Sequence, residues 1–276
     1  MLFLELLSRW DYRGKWRLYH ALHSIGLLSG TMTCKIEKYE CVVPADASEF
    51  WVTYKRKPDD VYDFKLFSQI ISDIGQDFVL LDMGANIGIS SVIIISLCDR
   101  IYKVVAFEPN TKAYNFLIKN LSSLVIETQA LNAAVSDFDG TAAFFCDITA
   151  RHDQAGHMAS YGGQQVRVVK ADSICLDPIK NIAIKIDVEG EERNAIRGAQ
   201  RLLKESDNVV LFVEIHPSVI RRSGISADEI FAEAEKVRSF SWRIADAGLP
   251  TVDRSKLFFN QFPETRHYDV IGVSVP

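Results

Sequence analysis

Phe78-Val-Leu-Leu-Asp82-Met-Gly84-Ala-Asn86-Ile-Gly88-Ile-Ser-Ser91 is the stretch on which the reading of this 276-residue chain turns. Four apolar residues lead into an acid, a glycine-bounded turn follows, and Ser91-Val-Ile-Ile-Ile-Ser-Leu97 is compatible with a helix. The pattern predicts a buried parallel strand, a tight turn and a helix start. Glycine in the turn permits positive φ and lets a ligand approach the backbone, while the free N–H groups of a helix start face it. The next apolar run, Tyr102-Lys-Val-Val-Ala-Phe107, closes on Glu108-Pro109-Asn110. An acid ending the second strand, roughly twenty residues beyond the turn, is placed to accept two ribose hydroxyls. Turn and acid together indicate an adenosine-type cofactor.

Spacing narrows the choice. A dinucleotide fingerprint needs Gly-x-Gly-x-x-Gly, whose second glycine makes room for a pyrophosphate. Here Ala85 and Asn86 follow Gly84, and the next glycine is Gly88. Asp82, read as standing at the mouth of the turn, is a poor neighbour for pyrophosphate and a good one for an ammonium group. S-adenosylmethionine carries that ammonium and no phosphate, and the turn is similar to motif I of the class I methyltransferases. Further along, Ile184-Lys185-Ile186-Asp187-Val188-Glu189-Gly190-Glu191-Glu192, Ile196-Arg-Gly-Ala199 and Phe212-Val-Glu214-Ile-His216 resemble the FkbM family of S-adenosylmethionine-dependent O-methyltransferases. The resemblance runs from about Tyr39 to Pro217 in the family's order. It implies a Rossmann-like α/β fold with a seven-stranded sheet in the order 3-2-1-4-5-7-6. It also implies S-adenosyl-L-methionine as cofactor, held by Asp82, Gly84, Ala85, Asn86, Gly88, Glu108, Pro109 and Asn132, with Ala133 beside the adenine. Where the family tends to carry Tyr-Glu at the start of a helix, this chain has Tyr62-Asp63.

Residues 181–187 read as the fourth strand, in which Ile182, Ile184 and Ile186 alternate with Ala183 and Lys185. Its carboxyl end presents Asp187 at the crevice where open α/β sheets bind ligands. The fifth strand, 208–215, delivers Glu214 and His216, two apart and so on one face. Methyl transfer depends on holding donor and nucleophile in line, and a hydroxyl acceptor also benefits from proton removal. The catalytic candidates are Asp187 and His216, with Lys185 and Glu189 as electrostatic support. Asp187 can take the proton itself, or orient His216, whose intrinsic pKa suits a base near neutral pH. In a third arrangement Asp187 with Glu214 or His216 holds a divalent cation that acidifies the hydroxyl. A metal-free site is the expectation, because Glu214 serves equally well as a buried strand acid.

Hydrophobic residues at 48% and charged residues at 24% describe an ordinary globular chain with material for a sizeable core. A formal charge of −5 provides no general attraction for nucleic acid. None of the eight prolines precedes Pro or Cys, so the Asn/Asp-Pro-Pro-Tyr and Pro-Cys motifs of base methylation are missing. A small-molecule or glycan hydroxyl is the expected acceptor; the alternatives are a nicotinamide-dependent oxidoreductase and a non-catalytic cofactor-binding scaffold. The five cysteines are scattered without Cys-x-x-Cys, which fits reduced thiols and a cytoplasmic protein.

Two regions divide the chain: residues 1–75, a helical and β-hairpin extension, and residues 76–276, the cofactor-binding domain. Residues 1–25 mix Leu, Trp and Tyr with Arg9, Arg13, Lys15 and Arg17. Charges interrupt too short an apolar run for a signal peptide or a bilayer span. A basic aromatic helix of this kind suits a membrane surface, self-association or packing on its own domain. Residues 35–54 read as a hairpin and 61–74 as a helix ending before Gly75. A crossover helix is expected over 114–121 and a third strand over 125–130. Asp137-Phe-Asp-Gly140 reads as a hairpin turn, and 141–145 with 165–169 as an added antiparallel pair. Residues 147–163 read as a mobile loop on the substrate side, carrying His152 and His157. The first turn of a helix is read at Glu189–Glu192, a helix over 227–240, and the last two strands over 242–247 and 269–275.

Overall fold

A computed structural model describes residues 14–28, 30–45, 63–146, 156–159, 162–174, 179–246, 248 and 251–275. In chain order it begins with α1 (Lys15–Ser24), the hairpin β1 (Thr31–Ile36) and β2 (Tyr39–Pro44), and α2 (Lys65–Ile74). The central units are β3 (Phe78–Met83), α3 (Ile89–Leu97), β4 (Ile101–Phe107), α4 (Thr111–Leu121) and β5 (Glu127–Leu131). Then come β6 (Ala134–Val135), β7 (Gly140–Cys146), β8 (Gly156–Ala159), β9 (Gln164–Val169) and α5 (Ala171–Ile174). The second half contains β10 (Asn181–Ile186), α6 (Glu192–Arg197), α7 (Gln200–Glu205), β11 (Asn208–Ile215), α8 (Pro217–Ser223) and α9 (Ala227–Glu235). β12 (Phe240–Ile244), α10 (Phe258–Gln261) and β13 (Tyr268–Ser274) complete it.

Seven strands form the main sheet in the order β12-β13-β11-β10-β3-β4-β5. Numbered among themselves along the chain, they run 3-2-1-4-5-7-6 from one edge to the other, the class I methyltransferase order. β3, β4, β5, β10 and β11 are parallel, while β13 is antiparallel to both β11 and β12. Every residue of β3 and β10 is buried, as central parallel strands covered by helices on both faces require. Alternation along β3 sends Phe78 and Leu80 to one core, with α2, α3 and α4, and Val79, Leu81 and Met83 to the other, with α6, α7 and α9.

The hairpin is packed into the first of these cores. Met32, Ile36, Tyr39, Cys41 and Val43 join it from β1 and β2, and Tyr19 joins it from α1. The described part of the basic N-terminal segment thus packs on its own fold; residues 1–13 lie outside the described residues. Asn120 on α4 links the hairpin to the glycine turn. Its Oδ1 accepts the Val42 N–H (2.7 Å), and its Nδ2 donates to the carbonyls of Val42 (3.0 Å) and Ile87 (2.7 Å).

Several elements differ from the sequence reading. The helix expected over 61–74 is helical over Lys65–Ile74 and ends at Gly75 with φ +71°; Val61 and Tyr62 lie outside the described residues. Asp137–Gly140 is not a hairpin turn, because β6 and β7 pair on opposite sides of β9, in the order β6-β9-β7-β8. β7 and β9 do form the expected antiparallel pair. The segment read as a loop contains β8, antiparallel to β7, with His157 on it; His152 lies outside the described residues. The helix after β10 begins at Glu192 rather than Glu189, since Glu189 and Gly190 both have positive φ and cannot extend it.

Replacing Asn120 with Ala would leave three backbone groups of the hairpin and turn without a side-chain partner. Each unsatisfied buried group costs about 1–3 kcal/mol. Urea unfolding of Asn120→Ala is expected to show at least that loss, and an unchanged midpoint would show that the link carries no load.

Candidate active site

The chain leaves β3 into Gly84-Ala85-Asn86-Ile87-Gly88. The N–H groups of Gly84 and Ala85 both donate to the Phe107 carbonyl, at 3.1 and 2.9 Å, docking the turn on the end of β4. Gly84 has φ +80°, and a Cβ there would overlap the Asp187 carbonyl oxygen. Only glycine fits where the ends of β3 and β10 close together. Asn86 is also left-handed, at φ +49°, and its N–H donates to Glu108 Oε2 (2.8 Å). Glu108 Oε1 accepts the Asn110 N–H at 2.7 Å. Burial pushes the Glu108 carboxyl up to about 7, against the pull of those two N–H groups and of Lys185. Asn132 Nδ2 donates to the carbonyls of Glu108 (2.8 Å) and Pro109 (3.0 Å), fixing the end of β4 from the next strand connection.

Beneath the turn lies a buried ion cluster. Lys185 Nζ donates to the Gly84 carbonyl (2.8 Å) and to Asp187 Oδ2 (3.1 Å), and stands 3.5 Å from Asp82 Oδ1. The pairing of β3 with β10 places Lys185 directly beside Asp82. Burial works against the lysine charge, yet Asp187 and Asp82 hold its pKa well above the usual range. Asp82 Oδ2 accepts the hydroxyls of Ser90 (2.9 Å) and Ser91 (2.6 Å). Asp187 is the one carboxylate of the cluster that reaches outward, with 31% of its side chain exposed. Burial raises its pKa, but Lys185 and a hydrogen bond from Glu214 outweigh that and hold it low, with His216 adding to the pull.

Glu214 faces Asp187 with its pKa raised well above the ordinary value by burial and by the Asp187 charge. Cross-strand from Glu214 is Asp269, pushed up to about 6 by burial. His216 follows β11 at the N-cap of α8, its ring stacked on His267 with centroids 5.5 Å apart.

Gly84, Asn86, Glu108, Pro109 and Asp187 line one open cleft. Ala85, Gly88 and Asn132 are not on its surface; they shape the turn and the loop behind it. Lys185 lies under the cleft floor, and His216 stands beyond its lining. Asp82 is not at the mouth of the turn: its side chain is 0% exposed. It sits on the sheet face covered by α3, where Ser90, Ser91 and the Lys185 ammonium are its partners. The cleft also has walls that the sequence reading missed. Glu191 lines it, held by Ser136 Oγ (3.0 Å) and Asn194 Nδ2 (2.9 Å), and Phe144 and Met158 reach it from the smaller sheet. Glu191 had a signal in the acidic motif after β10, and the two apolar residues had none. No group of three or more His, Cys, Asp or Glu side chains is arranged to hold a metal ion among the described residues. Nor, among them, is any helix long and apolar enough to cross a membrane.

Glu192, at the start of α6, is likewise pushed up to about 7 by burial, although its Oε1 accepts the Gly190 N–H (3.0 Å). Folded Glu108, Glu192, Glu214 and Asp269 all hold their protons more tightly than the unfolded chain. The stability these four contribute is therefore full below about pH 4 and is lost as pH rises through about 7, whereas Asp187, whose pKa is held low, contributes in the opposite sense. Glu192→Gln keeps an acceptor for Gly190 while removing one titration. It should flatten the loss between pH 4.5 and 8 by on the order of 3 kcal/mol. Urea unfolding at both pH values checks this; parallel wild-type and variant curves would place the Glu192 pKa at its ordinary value.

The Methyltransferase FkbM domain family matches residues 82–240. The chain belongs to the FkbM methyltransferase family. Over 153 residues it is 27% identical to the hexuronic acid methyltransferase AglP of Haloferax volcanii, a match covering 54% of this chain and 61% of that protein. The chain thus spans about three fifths of that relative's length. A solved structure of methyltransferase FkbM from Methylobacillus flagellatus KT is similar at 16% identity, covering 72% of this chain and 44% of that one, with a TM-score of 0.44. TYW2 of M. jannaschii, solved in complex with AdoMet, is similar at 11% identity, covering 89% and 85%, with a TM-score of 0.41.

Proposed function

We propose that this protein is an S-adenosylmethionine-dependent O-methyltransferase whose acceptor is a hydroxyl on a saccharide. The observation that carries the reading is the meeting of the Gly84–Gly88 turn, Glu108 and Asp187 at one cleft above the central strands. The residues fit the cofactor. Each Glu108 oxygen accepts one backbone N–H and keeps acceptor capacity for a ribose hydroxyl. Asp187, Glu189 and Glu191 line the cleft with acidic groups suited to a sulfonium and an ammonium. Gly84, Asn86, Glu108 and Pro109 would touch the cofactor, while Ala85, Gly88 and Asn132 hold the backbone that touches it. When bound, the cofactor supplies an electrophilic methyl group.

The chain's own contribution is placement and proton removal. Asp187, held ionised by Lys185, accepts a hydrogen bond from the acceptor hydroxyl and fixes its direction. The same low pKa makes Asp187 a weak base, so the proton passes on to His216, whose charge couples to Asp187 from beyond the cleft lining. Asp187 then stabilises the imidazolium that forms. Support for a saccharide comes from the named relative, a hexuronic acid methyltransferase, and from carboxylates and imidazoles suited to hydroxyl groups. Ala85 and Asn86, where a dinucleotide turn needs a second glycine, count against a nicotinamide cofactor.

Glu108→Ala is expected to weaken S-adenosylhomocysteine binding roughly 10–100-fold, the worth of charged hydrogen bonds. The ionised carboxylate is the better acceptor, so wild-type affinity should rise as pH is raised through about 7 and level off above it. Calorimetry showing the same step in Glu108→Ala would place the ribose elsewhere.

Single-turnover assays with uronic-acid-bearing oligosaccharides, read by mass spectrometry, test the proton's path. His216→Ala should lose about 10²–10⁴ in rate and also lose the limb of the pH profile near the imidazole range. Asp187→Asn should lose a comparable factor while keeping that limb. Full activity in both variants would remove the proposed pair, and inhibition of the wild type by a chelator would restore the metal-assisted alternative.

A further inference from the structure

The smaller sheet supplies a wall of the cleft that the turn and the acids do not account for. Phe144 on β7 and Met158 on β8 are direct cross-strand partners, so both project from one face. Gly156, two residues before Met158, is on that face as well. All three line the cleft beside Ala133, Ala134 and Pro109. Phe144 is a well-packed residue, 6% exposed, in a small core with Ala134, Val166 and Val168. A Cβ on Gly156 would overlap the Phe144 ring, and one on Gly163, at φ +77°, would overlap the Phe144 carbonyl. Glycine on two flanking segments is what lets the ring stand where it does. Covering an edge-strand glycine with an aromatic ring helps a sheet by itself. That accounts for the contact with Gly156, but not for the ring and Met158 meeting the cleft.

We propose that Phe144 and Met158 form the apolar wall that receives the purine of the cofactor, so that the β7–β8 pair completes the nucleoside half of the cleft. The proposal rests on the S-adenosylmethionine reading above. Asp187, Glu189 and Glu191 supply the acidic part of the lining, which matches the charged methionyl part. Phe144 and Met158 pack with Ala134, and Asn132, two residues before it, bonds the carbonyls of Glu108 and Pro109, so this apolar wall adjoins the acid read as the ribose partner. A flat, neutral ring system next to the ribose matches it, and a thioether and a phenyl ring are good partners for a purine face. The wall also makes Gly156 a specificity residue, since any side chain there must displace Phe144.

Calorimetry on the full chain with two probes tests this. S-adenosylhomocysteine contains purine, ribose and amino acid, whereas 5′-methylthioadenosine lacks the amino acid. Phe144→Ala should weaken both by the same factor, roughly 5–100-fold, and Phe144→Tyr should bind nearly as the wild type does. Gly156→Val should also weaken both. The double variant Phe144→Ala/Gly156→Val should be no weaker than Phe144→Ala alone, since both changes act on one ring. Thermal midpoints report folding; if Phe144→Ala does not fold, Phe144→Leu and Met158→Ala carry the test, each with a smaller loss for both probes. Unchanged affinities in these variants overturn the wall. Loss confined to S-adenosylhomocysteine overturns it too, by placing these residues at the methionyl end. A wild type that binds neither probe removes the cofactor reading and the wall with it.

Discussion

The Lys185 ammonium is the interaction on which the site depends. Taking a cation out of water costs several kcal/mol, and it is offset only where the partners are close and well placed. Here the partners are Asp82, Asp187 and the Gly84 carbonyl. Those three contacts join the ends of β3 and β10 to the first residue of the glycine turn. The turn is therefore clamped from below by a charge and from the side by the Phe107 carbonyl. Two carboxylates and one ammonium leave a net negative charge, and geometry decides where it acts. Asp82 is enclosed by Ser90 and Ser91, whereas Asp187 faces outward, so the excess charge is presented to the cleft by Asp187.

The other acids follow from the same shortage of cations. One buried lysine cannot neutralise Asp82, Asp187, Glu214, Asp269 and Glu108 together. The last three respond with pKa values above the ordinary range, as buried carboxyls short of positive partners do. A cleft built this way has more acid than its own residues can balance. A cationic occupant would relieve it, drawing protons off Glu108 as it binds and strengthening the very hydrogen bonds that hold it. Burial and strand register thus favour a positively charged occupant before any direct contact is counted.

Much of this was legible in the sequence. The strands were readable because apolar runs and alternation report burial directly, and Gly84 and Gly88 marked a turn that bulkier residues could not make. Glu108 and Asp187 were readable because acids at the ends of apolar runs have few bland explanations. Asp82 was misplaced for a physical reason. Whether an acid ending a strand meets the cleft or the covering helix depends on strand parity and on the serines above it, neither of which its own neighbours reveal. The turn at Asp137–Gly140 was misread because β9, some twenty-five residues on, inserts between the two strands that the turn would have paired. Phe144 and Met158 were illegible for the same kind of reason: β8 is four residues long, and its partner β7 fixes which way it faces.

The N-terminal hairpin shows how far the site extends beyond its lining. Asn120 uses its amide to hold Val42 on one side and Ile87 on the other, so hairpin and glycine turn share one buried side chain. Ile87 lies between Asn86, whose N–H orients Glu108, and Gly88, which starts α3. Phe64 and Phe67, in and beside α2, pack on Phe212 of β11, two residues before Glu214. The extension therefore braces both the strand end that carries the turn and the strand that carries the acid paired with Asp187. Chemistry that relies on placing a nucleophile in line tolerates little slack, and this bracing limits it from the side of the sheet opposite α6 and α9.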